Sequence, residues 1–155
     1  MPNSKNNPPS TKKKVSLLPY GFKARAECIS AQYRSHLKFN EHDPVPAGLL
    51  TSYLNIYIKE VPEVASISQD CINDLLSEFT GSFSAVTLHC PDNDRYMIVH
   101  NHTHSTPRRE SNLLHECAHL ILGHKMEVFD NSHGITLRNY NDVQEEEAKY
   151  LGHCL

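Results

Sequence analysis

Apolar residues recur at intervals of three or four in two segments of the chain, the spacing of a helix with one buried face. The first segment consists of Phe22, Ala26, Ile29, Tyr33 and Leu37. The second consists of Cys71, Ile72, Leu75, Leu76 and Phe79. We therefore expect two amphipathic helices, the first broken by Asp43-Pro44 and the second ending at Gly81.

Three other segments are rich in β-branched and aromatic residues, which is typical of strands. They run from Asn55 to Val61, from Phe83 to Leu88 and from Tyr96 to Asn101. The turn-forming residues 91–94, Pro-Asp-Asn-Asp, join the last two strands as a hairpin. Helices packed on a short, mainly antiparallel sheet define an α+β fold.

Two further helices are predicted in the C-terminal half of the chain. The first spans residues 107–122, with Ser105 or Thr106 as its N-cap and Gly123 just past its end. The second begins near Asn141, whose side chain suits an N-cap. The buried stripe of this second helix consists of Ala148, Leu151 and Leu155.

The helix over residues 107–122 carries His115-Glu116-Cys117-Ala118-His119, which matches the pattern H-E-x-x-H. Residues four apart lie on one helix face, so His115 and His119 can direct imidazole nitrogens to the same metal ion. In sites of this kind the two histidines hold Zn²⁺, and the glutamate takes a proton from the water that attacks the substrate. The motif therefore predicts hydrolytic chemistry.

A catalytic zinc site needs a third protein ligand and one open position. The acidic first turn of the last helix offers Glu145, three residues before Ala148 and so near the edge of the buried stripe. Glu147 lies four residues before Leu151 and also qualifies, whereas Glu146 points furthest away. The same glutamates can instead form a solvated turn that favours the helix dipole. The local pattern leaves the third ligand open.

Three blocks of residues, in this order, resemble the ImmA/IrrE-type metallo-endopeptidases over residues 21–155. The first is His-Asp-Pro-Val-Pro at 42–46, between the first long helix and a short one. The second is the strand pair followed by the pattern H-S-x-x-R at 104–108 and then the H-E-x-x-H motif. The third is Glu-Glu-Glu-Ala at 145–148, which matches the family's E-x-E-A element. Relatives usually continue beyond the position at which this chain ends.

The resemblance implies a small gluzincin-like metallopeptidase domain that binds one Zn²⁺ per chain. It makes Glu116 the general base, and it makes three residues the zinc ligands: His115, His119 and Glu145. It also places His104 near the metal as a substrate or oxyanion contact. One position departs from the family, because Lys149 stands where relatives often carry Asn.

The function implied by the resemblance is that of a zinc-dependent endopeptidase that cuts another protein. The substrate is typically a helix-turn-helix transcriptional repressor of a mobile element or a stress response. The alternative is a non-catalytic regulatory protein of the same fold that binds a repressor or toxin partner. Glu116 favours the enzyme, since a structural zinc site has no use for a base.

Several residues near the motif have simpler interpretations. His100, His102 and His104 share one side only if the strand extends that far, and His102 is better interpreted as part of a polar strand end. Cys117 faces away from the metal as a small core residue. His124 is interpreted as a partner for the dipole at the end of its helix rather than as a ligand.

Composition limits the remaining possibilities. The 155 residues are enough for one core, and no apolar stretch approaches the roughly 20 residues of a membrane span. The formal net charge of -3 is not the strongly basic balance that is typical of a nucleic-acid-binding domain. Five widely spaced cysteines predict neither a disulfide framework nor a zinc ribbon. We expect a cytoplasmic protein with a protein substrate and with neither a membrane nor nucleic acid as a direct partner.

Two segments are predicted from these patterns. Residues 1–18 are rich in Asn, Ser, Pro and Lys and lack apolar periodicity, so they are expected to form a disordered arm. Residues 19–155 form the metallopeptidase domain.

Overall fold

The computed structural model of the protein describes residues 16–65, 68–77, 83–90, 93–125, 127–130, 135–137 and 141–155. These residues form five α-helices and five strands. The helices are α1 (Phe22–His36), α2 (Ala47–Tyr53), α3 (Gln69–Leu76), α4 (Thr106–Ile121) and α5 (Asp142–Cys154). The strands are β1 (Tyr57–Glu60), β2 (Ala85–Cys90), β3 (Arg95–His100), β4 (Glu127–Asp130) and β5 (Ile135–Leu137). A short 3-10 turn, Val61–Glu63, follows β1.

The strands form one mixed sheet in the order β1-β3-β2-β5-β4. Strand β1 runs parallel to β3, and the other neighbouring pairs are antiparallel. The β2–β3 pair brings Thr87 opposite Ile98, and β5 meets β2 where Thr136 lies opposite His89. The predicted α+β class, with a mainly antiparallel sheet, is confirmed.

The main core lies where α1, α4 and α5 pack together. Residues without exposed surface come from each of these helices and from α2: Ala26, Leu50, Cys117, Ala118, Ala148 and Leu151. The predicted stripe of α5 is therefore the face that packs against its neighbours. Burial of this face fixes how α5 lies against α4, and so fixes which of its glutamates can approach the H-E-x-x-H motif.

Local signals in the sequence set the ends of α4 and α5. Ser105 is the N-cap residue of α4, and Gly123 follows its end with a φ of 68°, a left-handed conformation that glycine adopts without strain. The Asn141 side chain caps α5 by accepting hydrogen bonds from the backbone N–H groups of Val143 and Gln144, both at 3.1 Å. Glu110 of α4 accepts a hydrogen bond from the Ala47 N–H at 2.8 Å and so joins α4 to the start of α2.

The structure differs from the sequence predictions in three places. Helix α3 ends at Leu76 because Ser77 is extended, and the predicted end at Gly81 lies outside the described residues. Strands β4 and β5 were not predicted. Strand β3 ends at His100 and a turn follows, so the alternation of His100, His102 and His104 along one strand does not occur.

Most of the predicted N-terminal arm, residues 1–15, also lies outside the described residues. Leu18, the last residue of that segment, is partly buried against the main core.

Candidate active site

The H-E-x-x-H motif occupies α4, and the helix brings its two histidines together. The Nε2 atoms of His115 and His119 are 3.1 Å apart, and the two rings meet edge to face at 83°. His119 is 1 % exposed, whereas His115 is half-buried and reaches a cleft on the surface. The spacing of four residues therefore does what the sequence predicts: it directs two imidazole nitrogens to one point.

Helix α5 brings a single carboxylate to the same point. Glu145 places Oε2 at 3.1 Å from His115 Nε2 and Oε1 at 3.6 Å from His119 Nε2. Glu147 instead contacts His124, and Glu146 lies near Lys149, with 3.9 Å between Oε1 and Nζ. Of the two glutamates that the local pattern left open, Glu145 is the one that meets the histidine pair.

The three donor groups have the spacing that a tetrahedral metal site requires. Bonds of about 2.0–2.1 Å to Zn²⁺ put neighbouring ligand atoms about 3.3–3.4 Å apart, since a tetrahedron fixes the angle between them. The two histidine Nε2 atoms are 3.1 Å apart. Glu145 Oε2 is 3.1 Å from His115 Nε2, and its other oxygen, Oε1, is 3.6 Å from His119 Nε2, so the separations lie close to that value. Among the described residues, His115, His119 and Glu145 are the group of three that could hold a metal ion. Two imidazoles and a carboxylate suit zinc.

Glu116 lies beside this group and is held by a contact that the sequence did not predict. Glu116 is 5 % exposed, and its Oε2 accepts a hydrogen bond from the Thr87 hydroxyl at 2.6 Å. Thr87 lies in β2, which packs against α4, and is itself buried. No spacing rule could have identified it, because the contact joins residues 29 positions apart.

A cleft of about 820 Å³ opens over these groups. Its lining includes three apolar residues, Leu75, Phe83 and Ala85. It also includes polar and charged residues: Asn112, His115, Glu116, Glu145 and Lys149. A cleft with apolar lining and a few convergent polar groups is typical of a binding site.

His104 lies near the cleft but is not part of the metal group. Its ring contacts the side-chain amides of Asn101 and Asn112, each at 3.4 Å, and Asn112 lines the cleft. Burial, and then the neighbouring Arg108 guanidinium, lower the pKa of His104 below its ordinary value of 6.5. A neutral His104 can both donate and accept a hydrogen bond, and its contact with substrate stays a prediction.

Cys117, between the two histidines in sequence, lies on the opposite side of α4. It has no exposed surface and belongs to the main core, as predicted. Burial, and then the charge of Glu116, raise the pKa of the Cys117 thiol to about 12. The thiol is therefore protonated at neutral pH and cannot compete for a metal as a thiolate.

His124 has a different place from the one that its position in sequence suggested. Its backbone N–H donates to the His119 carbonyl at 3.0 Å, as a residue past a helix end does. Its ring, however, contacts both His119 and Glu147, with Nδ1 at 2.6 Å from His119 Nδ1 and Nε2 at 3.0 Å from Glu147 Oε2. The prediction that His124 is a partner of the helix dipole did not include these two side-chain contacts.

Lys149, the departure from the family pattern, lies on the rim of the cleft. Its side chain is 61 % exposed and its ammonium group is nearest to Glu146. The cation is therefore solvated instead of being buried next to the metal group, and an exposed pair of this kind contributes little to stability.

The geometry defines a class of site: a helix with H-E-x-x-H and a carboxylate from the following helix, open to a cleft. A family model named Peptidase M78 and described as the IrrE N-terminal-like domain matches residues 75–155. The match covers more than half of the chain and contains the whole candidate site, so the protein belongs to this family. No curated protein and no solved structure matches the chain significantly. None of the helices in the described part of the chain is long and apolar enough to cross a membrane.

Proposed function

We propose that the protein is a zinc-dependent endopeptidase with His115, His119 and Glu145 as the ligands of one Zn²⁺. The observation that carries this proposal is the meeting of two imidazoles and one carboxylate, with their nitrogen and oxygen atoms 3.1–3.6 Å apart, on the wall of an open cleft beside Glu116. Zinc in such a site polarises the scissile carbonyl and makes water a stronger acid.

Glu116 is the general base in this proposal. Its carboxylate takes a proton from the attacking water as the new carbon–oxygen bond forms, and it then donates that proton to the amide nitrogen as the carbon–nitrogen bond breaks. The products are a carboxylic acid, which ionises at neutral pH, and an amine, which takes up a proton. The hydrogen bond from Thr87 holds one carboxylate oxygen in place, so the base keeps its orientation through both transfers.

The proposed substrate is an extended segment of another protein. The resemblance implies that this substrate is a helix-turn-helix transcriptional repressor. The proposed location is the cytoplasm, where the protein and such a repressor could bind each other. The net charge of -3 gives no reason to expect nucleic acid as a direct partner.

The experiment measures cleavage of repressors that are encoded by neighbouring genes. It compares Glu116→Gln with the wild type in the presence of added zinc. Gln keeps the size and removes the base, so cleavage should fall by about 100-fold or more while zinc stays bound. Glu110→Gln is the matched control, since it makes the same change on the same helix and keeps an oxygen for the Ala47 N–H. We expect it to cut normally.

Two outcomes contradict the proposal. Glu116→Gln could cut at the rate of the wild type, and Glu116 would then not be the base. Alternatively, the wild type and Glu116→Gln could bind a repressor equally tightly with neither protein cutting it. That result would identify the non-catalytic regulatory protein that the sequence left as the alternative.

A further inference from the structure

We propose that His124 and Glu147 form a hydrogen-bonded chain that positions His119 for the metal, an inference that rests on the proposed zinc site. The chain runs from His119 Nδ1 to His124 Nδ1 at 2.6 Å and from His124 Nε2 to Glu147 Oε2 at 3.0 Å. It lies on the side of His119 that faces away from His115 and Glu145.

The hydrogen-bonding roles of the four atoms in this chain follow from the proposed metal site. His119 Nε2 faces the other two ligand groups and would give its lone pair to the metal, which leaves the ring N–H on Nδ1. That N–H has His124 Nδ1 as its acceptor, so the proton of the neutral His124 ring is on Nε2. The His124 Nε2–H then donates to the Glu147 carboxylate. One set of tautomers satisfies both contacts of this chain.

The surroundings make this chain costly to interrupt. The side chains of His119, His124 and Glu147 are 1 %, 6 % and 16 % exposed, so water has little access to them. A buried ring N–H that loses its acceptor can form few hydrogen bonds to water instead, so the loss costs free energy. Ring rotation would also move His119 Nε2 away from the point at which the three donors meet.

The path of the backbone explains how His124 reaches this position. Gly123 adopts a left-handed conformation and turns the chain back directly after α4, and the His124 N–H bonds to the His119 carbonyl. Helix α5 then supplies both carboxylates, with Glu145 on the metal side of His119 and Glu147 on the far side of His124. The ring of His119 thus lies between Glu145 on one side and His124 on the other, and His124 in turn contacts Glu147.

Outer partners of this kind typically change metal affinity by about 10–100-fold when they are removed. We therefore expect His124→Ala and Glu147→Ala each to raise the dissociation constant for Zn²⁺ by about that factor. Glu147→Gln should recover most of the affinity, because the amide oxygen still accepts from His124 Nε2–H. The double variant His124→Ala/Glu147→Ala should bind no more weakly than His124→Ala, since both changes break the same chain.

The test is competition for Zn²⁺ against a chelator, together with the visible absorption spectrum of the Co²⁺-loaded protein. A change in the orientation of a ligand alters that spectrum, whereas a general loss of stability does not. Lys125→Ala and Glu146→Ala are matched controls, since each is an exposed or half-exposed neighbour outside the chain. Melting of the zinc-free variants checks that each one folds, and the comparison of Glu147→Ala with Glu147→Gln carries the test if His124→Ala does not fold.

The inference is overturned if Glu147→Ala keeps the zinc affinity and cobalt spectrum of the wild type, or if the effects of His124→Ala and Glu147→Ala add independently. Its failure is distinct from failure of the proposed function. Loss of affinity in these variants supports the chain even if no peptide is cut, whereas unchanged zinc binding by His115→Ala would remove the metal site itself.

Discussion

Gly152 of α5 lies directly against the backbone of His115 in α4. A Cβ atom at position 152 would be 3.3 Å from both the Cα and the N of His115. Gly152 is seven residues after Glu145, and Ala148 between them has no exposed surface, so these three positions share the face that packs on α4. The absence of a side chain at Gly152 therefore helps to set the distance between Glu145 and the histidines.

Gly152→Ala should weaken zinc binding without gaining stability. Alanine favours a helix by about 1 kcal/mol over glycine, but a clash with backbone atoms costs about 1–3 kcal/mol and moves α5 outward. Gly48→Ala in α2 is the control, because no atom lies within 4 Å of its Cβ position. Melting and chelator competition should show a more stable Gly48→Ala protein and a Gly152→Ala protein with lower zinc affinity. A stabilised Gly152→Ala with unchanged affinity would show that the close approach is unimportant.

Thr87→Val should slow catalysis more than it affects zinc. The substitution keeps the shape of the side chain and removes the hydroxyl that donates to Glu116. Glu116 then lacks a charge-assisted hydrogen bond worth about 1.5–3 kcal/mol, so we expect kcat to fall by about 10-fold or more. Thr87→Ser retains the donor and should restore most of kcat. Equal kcat values for the Val and Ser variants would argue against the role of this bond in orienting the base.

The lowered pKa of His104 makes part of the stability depend on pH. Because its pKa is lower in the folded chain than the ordinary 6.5, the unfolded chain binds the proton first as pH falls. The contribution of His104 is thus present above pH 6.5 and is lost as pH drops through the folded-state pKa. NMR titration of the His104 ring should place its midpoint below pH 6.5. The midpoint should rise part of the way toward 6.5 in Arg108→Gln and stay unchanged in Arg109→Gln. A midpoint at or above 6.5 would contradict this account.

The boundary between the arm and the domain can be tested by truncation. Removal of residues 1–15 should leave the melting temperature and zinc content unchanged, since the segment has few apolar residues to bury. Leu18 contacts the core, so Leu18→Ala should cost about 1–2 kcal/mol of unfolding free energy. A large drop in melting temperature on removing residues 1–15 would move the proposed boundary toward the N-terminus.

The elements that the sequence predicts well are those with their own periodicity and end signals. Helix α4 is an example, since Ser105, Pro107 and Gly123 mark its ends and the histidines share one of its faces. The choice between Glu145 and Glu147 as the third ligand could not be made from periodicity. Both glutamates lie next to the buried stripe of α5, and only the packing of α5 on α4 distinguishes them.

The features that could not be predicted depend on contacts between distant residues. Strands β4 and β5 have four and three residues, too few for a recognisable alternation, and are defined by their pairing with each other and with β2. The contact between Thr87 and Glu116 joins a strand to a helix. His124 could have been noted because it follows a glycine one turn past a proposed ligand, but its partner Glu147 is 23 residues away.

The zinc content of four matched variants tests the central claim most directly. Proteins purified without added metal are compared by elemental analysis: wild type, His115→Ala, His119→Ala, Glu145→Ala and, as the control on the same helix turn, Glu146→Ala. We expect about one zinc per chain in the wild type and the control, and almost none in the three ligand variants. Wild-type zinc content in Glu145→Ala, or in both histidine variants, would contradict the proposed metal site.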